Sequence, residues 1–213
     1  MDDDDDKKKK KKIITIHLKG FASRLNFKHE ETKNMADSLI EFVSKQLAAE
    51  NFATVCIIWD GDSYSDDSFT AFIPRIYNSL YKTRRKIHLI AFVQNEDKYD
   101  TKKSFLETWN KKNNNMPISL YTTKNFGDYG GNNNDDPFAL LGQHALNKTG
   151  AKHIVCFGGG NCLKKEYELG KEDGRTHCKW YVYPAMRYHE KKKKWETASL
   201  VDHFANESNV IIM

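Results

Sequence analysis

Two polar turns in this sequence each follow an apolar run and carry residue types suited to binding an anion or a metal ion. The first is Gly158-Gly159-Gly160, which lies between the strand-like run His153–Phe157 and a segment with helical periodicity. Glycines at such a turn let the backbone approach a ligand, and the free N–H groups of the following helix favour phosphate. Asn161 is a suitable N-cap for that helix. The pattern favours phosphate binding, and the alternative is a tight turn that needs glycine only for its backbone angles.

Cys162 falls in the first turn of the same predicted helix. A helix N-terminus favours a reactive thiolate, which makes Cys162 a candidate nucleophile, although an inert cysteine is the commoner case. The chain has four cysteines, and none of them forms a C-x-x-C pair or stands at zinc-ligand spacing from histidine. This usage is typical of a reducing, cytoplasmic environment.

The second turn is acidic and contains Asp60-Gly61-Asp62 directly after an apolar run at residues 54–59. Two carboxylates in this arrangement can bind Mg²⁺, or one can act as nucleophile and the other as general acid. Asp60 and Asp62 are therefore candidate catalytic and metal-binding residues, with Mg²⁺ as the candidate cofactor. The alternative is an ordinary turn, because aspartate and glycine are also the residues that turns prefer.

These turns must be positioned by the elements around them, and the chain alternates between strand-like and helical patterns. The predicted strands are residues 13–18, 54–59, 87–93, 118–122, 153–157 and 180–184. The predicted helices are residues 30–49, 69–81, 101–110, 137–148, 162–170 and 198–205. Strands that are apolar throughout and alternate with helices indicate a parallel sheet covered on both faces. We therefore predict an α/β, Rossmann-like three-layer sandwich with a mostly parallel sheet of about six strands.

The carboxyl ends of parallel strands meet at one edge of the sheet, where ligands bind near the point at which strand order reverses. The glycine turn and the acidic turn both belong to this edge, as do Thr122 and Thr123 after the fourth predicted strand. The sequence thus predicts a polar ligand site at this edge. It does not fix the strand order, so the distances between these residues stay open.

Composition restricts the class of partner. The 213 residues carry a net charge of +5, without the clustered basic face that nucleic acids require. Residues 1–12 form an Asp/Lys run that we predict to be a disordered tail, and residues 13–213 are predicted to form a single domain. The absence of a long apolar stretch predicts no membrane partner and a cytoplasmic location. The expected partner is a phosphorylated small molecule or nucleotide, and the oligomeric state is undetermined.

The segment His153-Ile-Val-Cys-Phe-Gly-Gly-Gly-Asn-Cys-Leu-Lys-Lys-Glu166 resembles the SLOG superfamily, which includes the lysine-decarboxylase-like phosphoribohydrolases. Those Rossmann-like proteins carry Gly-Gly-x-Gly-Thr-x-x-Glu after a strand. The resemblance implies a nucleotide or phosphoribosyl ligand, with the three glycines, Asn161, Cys162 and Glu166 at the ligand.

The segment Val55-Cys-Ile-Ile-Trp-Asp-Gly-Asp62 looks like the opening motif of haloacid-dehalogenase-type phosphatases. That resemblance implies that Asp60 is the nucleophile, that Asp62 is the acid/base and that Mg²⁺ lies beside them. Thr122 or Thr123 would then supply the hydroxyl that binds phosphate.

Three functions follow from these patterns. The leading hypothesis is binding, with or without hydrolysis, of a nucleotide or another phosphorylated metabolite at the carboxyl edge of the sheet. A Mg²⁺-dependent phosphohydrolase that uses Asp60 and Asp62 is the enzymatic alternative. A non-catalytic binding or scaffold protein is the third.

Overall fold

The computed structural model describes a large part of the chain, in segments separated by gaps. These segments are residues 12–20, 29–46, 52–60, 69–82, 86–94, 99–113, 115–123, 137–158, 161–174, 177–183, 186–189, 193–197, 203–204 and 206–213. The predicted tail lies outside them except for Lys12, which begins the first strand.

Strands and helices alternate through most of the described chain. The strands are β1 Lys12–Gly20, β2 Phe52–Asp60, β3 Lys86–Gln94, β4 Ile118–Thr123, β5 His153–Phe157, β6 Lys179–Tyr183, β7 Met186–His189, β8 Lys194–Thr197 and β9 Val210–Ile212. The helices are α1 His29–Glu41, which continues as a π-helical segment Phe42–Gln46, α2 Phe69–Tyr81, α3 Tyr99–Lys112, α4 Pro137–Thr149 and α5 Asn161–Glu172.

Seven strands form one parallel sheet in the order β4-β3-β2-β1-β5-β6-β9, and β7 and β8 form a separate antiparallel ribbon. The prediction of an α/β sandwich on a mostly parallel sheet is confirmed. The sheet has seven strands instead of about six, because Val210–Ile212 adds an edge strand beside β6.

The sheet separates two apolar cores, because neighbouring residues along each strand point to opposite faces. On β1, Ile14, Ile16 and Leu18 belong to the first core, which α1, α2 and α3 cover. The second core includes residues of β5 and β6 and is covered by α4 and α5. Both faces of the central strands are therefore buried, which explains why these strands are apolar almost throughout.

The course of the chain places a reversal of strand order beside β1. From β1 to β4 each new strand is added on the same side, and α1 to α3 then lie on one face, as right-handed crossovers require. The segment containing α4 returns the chain to the other side of β1, so that β5 pairs with β1. The switch point of the sheet is therefore the crevice between the carboxyl ends of β1 and β5.

The structure differs from the sequence prediction mainly near the end of the chain. The ribbon of β7 and β8 was not predicted, because four-residue strands without a continuous apolar run give little periodic signal. Of the helix predicted at 198–205, only His203 and Phe204 are among the described residues. Both are helical. Among the described residues, no helix is long and apolar enough to cross a membrane.

Candidate functional site

The crevice at the switch point is bordered by strands that end at the same height. Lys19 pairs with Cys156, and Gly20 pairs with Phe157. The turn that begins at Gly158 and the end of β1 are thus direct neighbours at the carboxyl edge of the sheet. This is the position at which sheets of this kind bind ligands.

The glycine turn starts with a residue that needs to be glycine. Gly158 is buried and has a φ of 64°, a backbone conformation that side chains disfavour. Its N–H donates a hydrogen bond to the carbonyl oxygen of Tyr183 at 2.9 Å. This bond connects the turn to the end of β6. Gly158 therefore contributes backbone shape to the site, and its N–H is already used.

The helix that follows the turn begins at Asn161, one residue before the predicted start at Cys162, so Asn161 is its first residue and not its N-cap. Because this helix follows β5 directly, its N-terminus lies at the carboxyl edge of the sheet. The first N–H groups of a helix have no acceptor within the helix itself. Gly159 and Gly160 lie outside the described residues, as do the side chains of Asn161 and Cys162. Their roles as ligand-binding residues stay predictions.

Glu166 lies on the inner side of α5, where its carboxylate forms an ion pair with the ammonium group of Lys19 at the end of β1. Both side chains are buried, with exposed fractions of 9% for Lys19 and 5% for Glu166. Lys19 reaches this face because it follows Leu18, which faces the first core, and alternation turns Lys19 toward α4 and α5.

Gly142 on α4 makes room for this ion pair. A methyl group placed on Gly142 would overlap both the Lys19 ammonium nitrogen and the Glu166 carboxylate. One residue from each of β1, α4 and α5 therefore meets at a single buried point below the crevice.

Two further titratable side chains lie on the same face of the sheet. His17 is fully buried, and burial together with the neighbouring Lys19 charge holds its imidazole pKa well below the usual value. Among the described residues, its Nδ1 has no hydrogen-bond partner. Burial, reinforced by the Glu166 carboxylate, raises the pKa of the Cys156 thiol. At neutral pH both groups are therefore uncharged, and Lys19 and Glu166 carry the charge of this cluster.

Asp60 ends β2, on the opposite side of β1 from the glycine turn. Ile58 and Ile154 both pair with His17, so Asp60 is level with Cys156. Two strand spacings separate their backbones, or about 10 Å. The side chain of Asp60 and all of Asp62 lie outside the described residues, so Mg²⁺ binding there stays a prediction. Within the described part of the chain, no group of three or more His, Cys, Asp or Glu side chains could hold a metal ion.

The strand order separates Thr122 and Thr123 from the other predicted site residues. Both lie on β4, the edge strand, and β3 stands between β4 and β2. Four strand spacings, about 19 Å, lie between β4 and the β5 strand that leads into the glycine turn. One compact pocket cannot use all of the predicted residues at once.

Sequence reasoning gave no role to His17 or Gly142, and it placed Lys19 only among the polar residues at the carboxyl edge of the sheet. A usable signal was present, because His17 and Lys19 are polar residues two positions apart in a largely apolar central strand. Such spacing puts both side chains on one buried face, where polar groups need partners.

No protein-family model matches the chain, and no curated protein matches it significantly. The resemblances to the SLOG superfamily and to haloacid-dehalogenase-type phosphatases therefore rest on the quoted residues alone. The site is characterised by its own geometry, which is a switch-point crevice with a helix N-terminus at its edge and a buried ion pair beneath it.

Proposed function

We propose that this protein binds a phosphorylated small molecule, such as a nucleotide, in the crevice between the carboxyl ends of β1 and β5. The observation that carries the proposal is the strand order, which reverses between β1 and β5 and so makes the glycine turn the border of the switch point. In open parallel sheets this crevice is the usual ligand site.

The chemistry of the crevice supports an anionic ligand. The N-terminus of α5 carries a partial positive charge of about half a unit, and its first N–H groups favour phosphate oxygens. The turn that leads into this helix begins at Gly158, whose φ of 64° is a conformation that glycine adopts without strain. Both features concern only the phosphate group. The remainder of the ligand would be bound by other residues.

Thermal unfolding with a panel of ligands tests this proposal. The panel contains AMP, ADP, ATP, cyclic AMP, ribose 5-phosphate and inorganic phosphate, with adenosine as the uncharged comparison. A ligand at one hundred times its Kd adds about 2.7 kcal/mol of stability. For a chain of this length that gain raises Tm by about 5–10 °C. We expect such a rise with at least one phosphorylated compound and none with adenosine.

A pair of matched variants connects the effect to the crevice. Gly159→Val inserts a side chain into the glycine turn and is expected to abolish the ligand-induced rise in Tm. Gly174→Val is the control near the other end of α5. Its φ of 72° disfavours a side chain and lowers the baseline Tm, but among the described residues an added methyl group meets nothing within 4 Å, so the ligand-induced rise should persist. The proposal is refuted if no phosphorylated compound raises Tm at millimolar concentration, or if both variants keep the full rise.

A further inference from the structure

The two edges of the main sheet differ in length and composition. Exposed edge strands can pair with strands of other molecules, and proteins usually prevent this with short strands, charged residues, prolines or bulges. The edge strand β9 has three residues. The other edge strand, β4, has six residues without charge or proline and pairs with β3 in unbroken register. Within the described part of the chain, β4 is the last strand on its side of the sheet, so its edge is suited to pairing with another strand.

The hydrogen-bonding groups at the outer edge of β4 follow from its pairing with β3. The Leu89 N–H donates to the carbonyl oxygen of Pro117 at 3.3 Å. Since backbone groups alternate in direction along a strand, Ile118, Leu120 and Thr122 direct theirs away from β3. The N–H of Ile118 is already bonded within its own chain. The outer edge therefore offers the other two N–H groups and three carbonyl oxygens.

These groups match those of a second copy of the same strand. In an antiparallel pair about a two-fold axis at Leu120, the Leu120 N–H of each copy donates to the Leu120 carbonyl oxygen of the other. The Thr122 N–H of each copy then donates to the Ile118 carbonyl oxygen of the other. This one register uses both N–H groups of the edge, and two-fold symmetry repeats each bond.

The side chains of β4 also fit this register. On one face it places Tyr121 of each copy opposite Ser119 of the other, with their Cα atoms about 4.5 Å apart. Tyr121 is 43% exposed with its ring stacked on Phe92, and Ser119 is exposed, so a large side chain meets a small one. On the other face Ile118 and Leu120 are half-buried, and the same residues of the second copy would cover them.

The charges beside this edge are self-complementary as well. The Asn110 side chain on α3 bonds both the N–H and the carbonyl oxygen of Met116, which identifies the flank of α3 nearest the start of β4. Glu107 and Lys103 lie on the same flank in the preceding turns, and both are exposed. A two-fold axis reverses the direction of α3, so that Lys103 of each copy lies toward Glu107 of the other. Opposite charges then face each other, which suits a second copy.

We propose that this protein is a dimer in which the β4 strands of two copies pair antiparallel about a two-fold axis at Leu120, so that one sheet continues through both copies. A second copy is the partner because the backbone groups, the side chains and the charges of this edge each complement themselves. The strands β3, β2 and β1 separate β4 from β5, so the dimer contact and the ligand crevice are different surfaces.

Light scattering coupled to gel filtration tests the dimer. Wild-type protein at high micromolar concentration should have twice the mass of one chain. Thr122→Pro removes an N–H that points outward and no hydrogen bond to β3, and edge strands tolerate proline at such positions. Because each dimer loses two hydrogen bonds, the dissociation constant of the variant should rise by about tenfold or more.

Ile212→Pro is the matched control on β9. The Met213 N–H bonds the Val182 carbonyl oxygen, so the N–H of Ile212 points outward at the opposite edge of the sheet. This variant should keep the wild-type dissociation constant.

Cysteine cross-linking tests the register. Leu120→Cys places a thiol on the two-fold axis, with its Cα about 5.5 Å from that of the same position in the second copy, which is within reach of a disulfide. Ile118→Cys is the control on the same face of the same strand, where the two copies of the position are offset by about 13 Å along the strand. Under mild oxidation Leu120→Cys should form a covalent dimer, and Ile118→Cys should not exceed the level that the native cysteines give in wild-type protein.

The inference is overturned by wild-type protein with the mass of a single chain, by a Thr122→Pro variant that dimerises as tightly as Ile212→Pro, or by equal cross-linking of Leu120→Cys and Ile118→Cys. If Thr122→Pro does not fold, the comparison of the two cysteine variants decides by itself.

Discussion

Replacing Gly142 with alanine tests how tightly β1, α4 and α5 converge. Alanine inside a helix is favoured over glycine by about 1 kcal/mol, so an unobstructed change would stabilise α4. Here the added methyl group would overlap the ends of the Lys19 and Glu166 side chains, which are buried and can move aside only by weakening their ion pair. Losing one partner of a buried pair typically costs about 3–5 kcal/mol. The expected net loss is therefore about 2–4 kcal/mol of unfolding free energy.

Urea unfolding followed by circular dichroism measures this loss as a decrease of about 1 M or more in the midpoint. The matched control is Gly170→Ala on α5, where an added methyl group meets the Gln143 amide nitrogen at 3.2 Å and, within the described part of the chain, nothing else within 4 Å. That variant should stay within about 1 kcal/mol of wild type, because helix propensity and a single tight contact offset each other.

A double-mutant comparison shows whether the ion pair is the cause. In a Lys19→Ala/Glu166→Ala background the space next to Gly142 is open, and Gly142→Ala should then stabilise the protein by about 1 kcal/mol. The reasoning is refuted if Gly142→Ala is as stable as wild type, or if it is equally destabilising in both backgrounds.

Two other substitutions have defined outcomes. The folded-state pKa of His17 lies below its unfolded value of 6.5, so its contribution to stability is complete above pH 6.5 and is lost as pH falls further, by up to about 1.4 kcal/mol per pH unit. His17→Leu should reduce the fall of the urea midpoint between pH 6.5 and 5, and an unchanged fall would contradict this assignment. Tyr167→Phe removes the hydroxyl that contacts the Asn209 side-chain oxygen at 2.7 Å and should lower the unfolding free energy by about 0.5–1.5 kcal/mol. A loss equal to that of exposed Tyr81→Phe would contradict this assignment.

The sequence predicted those parts of the fold that follow from local periodicity. The strand His153–Phe157 was predicted with the bounds that the structure shows, since two-sided burial makes it apolar throughout. The strand Val210–Ile212 was not predicted as part of the sheet, because three partly exposed residues at an edge give no distinctive pattern.

The candidate site was predictable only in part. The glycine turn was located because its composition is unusual and its neighbours are regular. The pairing of Lys19 with Glu166 depends on strand order and on a contact between residues far apart in sequence, and neither follows from local pattern. The same limit applies to Thr122 and Thr123, whose distance from the glycine turn is set by β3, β2 and β1 between them.

The pairing of β1 with β5 also has a consequence during synthesis on the ribosome. Strands β1 to β4 can pair in the order in which they are made, but the second neighbour of β1 emerges more than 130 residues after it. At about 5–20 residues per second, one edge of the central strand waits roughly 7–30 s for its partner. During that interval the backbone of β1 and its apolar neighbours are exposed to other nascent chains, which makes this edge the expected target of chaperones.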